Sequence, residues 1–85
     1  MNRLTEKKED GNYTVINNDI EAIIKRLGLF EDAYDSLMNS QEHIPKELVL
    51  LREQGKEKTV TYKEKMTRKL INNNIVMFFE SHGIY

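Results

Sequence analysis

The chain has no cysteine, no tryptophan, a single proline and four glycines in 85 residues. Without cysteine, neither a disulfide framework nor a thiolate metal site can make up for a small core. A chain this short buries only somewhat over about 60% of the surface its unfolded form exposes, so it has room for one core and one domain, residues 1–85. Packing between helices must hold that domain together. Long apolar runs are also missing. The longest candidate, Ile75 to Phe79, falls far short of the roughly 20 residues that cross a bilayer, which excludes a membrane-spanning helix. Met1 to Asp10 is polar and charged where a secretory leader would be apolar, and the expected location is the cytoplasm.

Catalytic signatures are equally scarce. There is no glycine-rich phosphate loop and no nucleophile elbow. His43 and His82 share no metal-ligand spacing with each other or with an acid. No catalytic, metal or cofactor-binding residue can be assigned, and the chain is expected to be neither an enzyme nor a cofactor carrier.

What the chain does have is charge, unevenly spread under a net of −1. From Asp19 to Glu53 eight acids stand against four bases, a local −4. From Gln54 to Leu70 six bases face only Glu57 and Glu64, a local +4. Local fields of this kind steer partners more than the total does. The acidic side of the first helix offers Glu21, Asp32 and Asp35 as contact residues, and the basic stretch offers Lys63, Arg68 and Lys69.

Asp10-Gly11, with Tyr13-Thr14-Val15-Ile16 behind it, predicts a β-hairpin over 3–16. Asn17, Asn18 and Asp19 are amino-terminal caps for a helix over 19–38, because their short side chains accept bonds from the orphan amides of its first turn. On that helix Ile20, Ile23, Ile24, Leu27, Phe30, Tyr34, Leu37 and Met38 recur at three and four and form a core-facing stripe. Gly28 interrupts it and offers a place for a close helix crossing. Glu31 falls near the middle of the stripe, where a carboxylate needs a partner such as Arg3 or a lysine, unless the helix bends at Gly28 and releases it to solvent.

Asn39 to His43 reads as a polar connection and Pro45 as the first turn of a helix over 45–54, capped by Gly55. Thr59 to Tyr62 reads as a third strand or as the lead into a helix over 62–71, with Thr61 and Glu64 spaced as a capping box. Asn72 to Asn74 favours a turn, followed by a helix over 74–82 with Gly83 as its cap. The expected fold is α+β and mainly helical, with the amino-terminal β-hairpin packed on a small bundle of three to four helices.

Two segments carry a resemblance: the opening Arg3-Leu4-Thr5-Glu6-Lys7 with Gly11, and Arg26-Leu27-Gly28-Leu29-Phe30-Glu31-Asp32 on the first helix. Over roughly the first forty residues the chain resembles small phage and prophage accessory proteins of Gram-positive bacteria. The resemblance transfers no site residue. It implies a context: proteins of this kind often occupy a host protein, including components of defence systems such as CRISPR nucleases, inside the bacterial host cell. The expected function is that of a phage-encoded, non-enzymatic protein-binding module. The alternative is a small DNA-associated regulatory protein that uses the basic 56–69 segment, including Lys58 and Lys65, and loses its ligand as salt is raised.

Overall fold

The computed structural model describes the whole chain, Met1–Tyr85. The element order is β1 (Thr5–Lys7), β2 (Tyr13–Val15), α1 (Ile20–Glu53) and α2 (Val60–Ser81). Two compact units divide the chain within α1, Met1–Asp32 and Ala33–Tyr85.

In the first unit β1 and β2 pair antiparallel with Thr5 opposite Val15 and Lys7 opposite Tyr13. The loop between them closes through the Lys8 amide on the Asn12 carbonyl at 2.7 Å. Gly11 sits at φ +88°, the left-handed conformation that such a loop needs and that a Cβ would strain. The Asp10 carboxylate accepts from the Asn12 amide at 2.9 Å and fixes the turn. Asp19 caps α1 as expected, its carboxylate accepting from the Ala22 amide at 3.1 Å. The Arg26 guanidinium, reaching from α1, donates to the Asn2 carbonyl ahead of β1. Apart from Leu4 and Thr5, every residue of the hairpin is exposed, so the two-stranded sheet has no packed face.

The second unit is a helical hairpin. The part of α1 from Ala33 to Glu53 contributes Tyr34, Leu37, Gln41, Ile44, Leu48 and Leu51, alternating three and four residues apart, all half-buried or buried. On α2 the same alternation takes in Tyr62, Lys65, Lys69, Asn72, Val76 and Phe79. This is the spacing by which two helices interdigitate along a seam. The core of the seam is narrow: Ile44 and Leu48 are its only buried apolar side chains, at 6% and 1% exposure. Tyr34 and Phe79 meet at one end, ring centroids 6.1 Å apart.

The expected bundle of three to four helices is corrected to two. Neither predicted break occurs: α1 runs through Asn39–His43 and past Pro45, and α2 runs through Asn72–Asn74. Pro45 removes an amide and costs about 3 kcal/mol inside a helix, yet the seam continues across it, and packing on both sides holds the helix together. The start of α2 also moves. Thr59, not Thr61, is its cap, accepting from the Tyr62 amide at 3.2 Å, so Val60 to Tyr62 is helix and no third strand forms.

Gly55 and Gly83 end α1 and α2 as expected, each at positive φ. The Lys56 amide returns to the Leu51 carbonyl at 2.8 Å and the Ile84 amide to the Phe79 carbonyl at 2.9 Å, the six-to-one bond of a Schellman cap in both cases. Gly28 permits no close crossing, because a Cβ there would meet nothing within 4 Å.

Gly28 and Gly55 therefore respond in opposite directions to alanine. Gly28→Ala stabilises the chain by about 0.5–1 kcal/mol through helix propensity. Gly55→Ala destabilises it by about 1–2 kcal/mol, wholly through the left-handed backbone, since its Cβ also meets open space. Urea titrations followed by circular dichroism at 222 nm measure both; equal signs would contradict the assignment of Gly55 as the cap.

Candidate protein-binding surface

The polar residues that seemed to interrupt the two helices face each other. Buried Asn72 donates its amide to the Ser40 hydroxyl at 2.8 Å. One residue further along each helix, the Gln41 amide donates to the Asn73 carbonyl at 2.9 Å. These layers sit in the middle of the seam and fix its register, because sliding one helix by a turn would bury the Asn72 amide without an acceptor. Toward the interhelical turn, Lys65 of α2 reaches Glu47 of α1 in a half-buried ion pair.

Beside the seam lies an open groove. Ser40, His43 and Glu47 line it from α1, and Glu64, Arg68 and Ile71 from α2. Lys63 and Arg68, two of the expected contact residues, are exposed and both border this groove. Lys69 does not join them: it is half-buried and recurs at the seam spacing of α2. The basic stretch is thus split, with Lys65 committed to Glu47 and Glu64 offsetting charge in the groove itself.

The acidic residues are placed differently. Glu21 and Asp32 are exposed and stand 11 positions apart on α1, which returns them to one side of the helix about 17 Å apart. Asp35, in the second unit, is exposed as well. Next to Glu21 and Asp32 runs a strip that sequence reasoning assigned to the core. Ile20, Ile24 and Leu27 are 63%, 64% and 55% exposed. Periodicity identified the strip correctly as one face of a helix, but it cannot say whether the chain itself supplies a cover. α2, with 22 residues, matches the portion of α1 from Ala33 onward, so the helical hairpin is complete within its own unit.

Of the two alternatives for Glu31, a partner or solvent, the structure has solvent: the residue is exposed and makes no ion pair, although α1 is continuous through Gly28. Arg3, its proposed partner, instead donates to the Thr5 carbonyl at 2.9 Å. With no cover on this face, the carboxylate stays in water and needs no counter-charge. At the end of α2, His82 caps the helix with Nδ1 2.9 Å from the Phe78 carbonyl, a bond that places a proton on Nδ1.

Comparison with protein-family models, with curated proteins and with solved structures finds no match.

The polar layers are expected to differ in weight. Ser40→Ala, which leaves the buried Asn72 amide unpaired, costs about 1–2 kcal/mol, and Gln41→Ala, at a more exposed bond, costs under about 1 kcal/mol. Ser40→Ala combined with Asn72→Leu regains most of the loss, because both partners are then apolar. Thermal and urea melting of the three variants checks the order.

Proposed function

We propose that the chain is a non-enzymatic protein-binding module that acts by occupying a host or bacterial defence protein, in the manner of a phage-encoded inhibitor or modulator; an anti-CRISPR-like role falls within this reading. The observation that supports it is the uncovered strip Ile20, Ile24 and Leu27 on the first turns of α1. Its spacing of four and then three residues is the anchor pattern by which an amphipathic helix enters an apolar groove of another protein. Glu21 and Asp32 border the strip, which suits a groove with an apolar floor and a basic rim. A basic rim of that kind ordinarily serves nucleic acid, so a helix lodged there would block it sterically. The chain, at net −1, is no general mimic of DNA, and the acidic contribution is local to this edge.

The second reading, a DNA-associated protein using 56–69, draws support from Lys63 and Arg68 at the groove of the helical hairpin. Glu47 and Glu64 in the same groove weaken it.

A tagged chain incubated with nuclease-treated lysate of a Gram-positive host, at low and moderate salt, is expected to retain one protein in stoichiometric amount. Ile24→Glu with Leu27→Glu lowers its capture at least about tenfold, the effect of losing central apolar anchors. Lys63→Glu with Arg68→Glu leaves it intact. Recovery of nucleic acid alone, lost on adding salt, would overturn the reading in favour of the alternative.

A further inference from the structure

The carboxy-terminal half of α2 is apolar on the side away from its seam as well as along it. Leu70, Ile71, Ile75, Met77 and Phe78 remain 38% (Ile75) to 65% (Met77) exposed. At about 100° per residue they fall within an arc of roughly 160° opposite Asn72 and Phe79. Between Lys69 and Glu80 the sequence holds no charged residue. The only polar side chains in this stretch are those of Asn72, Asn73 and Asn74, and Asn74 lies near the centre of the exposed arc.

We infer that this face is the contact between two copies of the chain, related by a twofold axis that passes near Asn74. Three observations argue for a second copy. The first is area: these five side chains expose roughly 500 Å² of apolar surface, at the upper end of what a monomer leaves in water. With Lys63, Thr67 and Asn74, which share the arc, the face approaches the about 800 Å² per partner of a standard stable interface. The second is charge. From Leu70 to Phe79 the face carries no charge of either sign to select a charged partner, Lys63 lying beyond this apolar part, and a chain of net −1 repels its own copy only weakly. The third is the core. A helical hairpin whose buried apolar residues are Ile44 and Leu48 alone has little to hold it, and small scaffolds of this kind gain stability by oligomerising.

A twofold contact places the same patch on both subunits, so Phe78 and Ile71 each meet apolar residues of the partner copy. The contact face lies on α2, and the inference does not depend on the strip of α1 assigned above to a different protein.

Sedimentation velocity on the untagged full chain, from about 5 to 500 µM, is expected to give twice the chain mass of 10.1 kDa at the upper concentrations. The melting temperature should rise with concentration in step, because only the folded pair associates. Ile71→Glu with Phe78→Glu returns the mass to that of one chain. Because that variant can also lose its fold, a second measurement uses the absence of native cysteine. Asn74→Cys, which removes no apolar contact, should oxidise to a disulfide-linked pair, whereas Lys46→Cys, on an exposed part of α1, should not. A single-chain mass throughout with a constant melting temperature overturns the inference. An assembly that cross-links at Lys46→Cys and not at Asn74→Cys overturns it too.

Discussion

The helical hairpin depends on one buried hydrogen bond, from Asn72 to Ser40, with the bond from Gln41 to Asn73 beside it. Apolar residues alone would let the two helices settle at several offsets, because side chains such as Ile44 and Leu48 fill a seam without strong directional preference. A carboxamide taken out of water has few acceptable partners, and only one offset supplies this one. The layers add little net stability compared with apolar contacts, but they make the other alignments costly. The remaining contacts follow from that alignment: it sets Lys65 opposite Glu47 and brings Tyr34 to Phe79.

A consequence is that the two sides of α2 have separate tasks. One side, carrying lysines, an asparagine and only two or three large apolar groups, is closed internally. The other holds most of the apolar residues and is left open. A similar division runs along α1, whose later turns meet α2 while its first turns present Ile20, Ile24 and Leu27 to water. The chain leaves many large apolar side chains exposed and buries only Ile44 and Leu48.

Local features were legible from the residues. Asp10-Gly11 specified the hairpin, Asp19 the start of α1, and Gly55 and Gly83 the ends of the helices, because each rests on short-range backbone chemistry. What was not legible was long-range. Asn39–His43 and Asn72–Asn74 each looked like an interruption when read singly, since asparagine and serine compete for backbone bonds wherever nothing else satisfies them. Together they satisfy each other across 32 positions, and the interruptions vanish. Pro45 misled for a related reason, as its preference for a helix start is real but weaker than packing on either side. At the candidate surface, Glu21, Asp32 and Asp35 are exposed, but the apolar strip beside the first two was misassigned inward. Exposure depends on what the rest of the chain can reach.

Pro45 also determines how the hairpin would come apart. It has no amide to offer the carbonyl of Gln41, the residue whose side chain holds Asn73. The backbone ladder of α1 is therefore thinnest at the layer that aligns the helices, and an opening fluctuation there loosens backbone and register at once. Slow amide exchange should then divide α1 into two protected stretches with a faster-exchanging junction between them, although the helix is geometrically continuous. The mid-helix proline would then serve as a junction at which the turns before it and the turns after it exchange with solvent at different times.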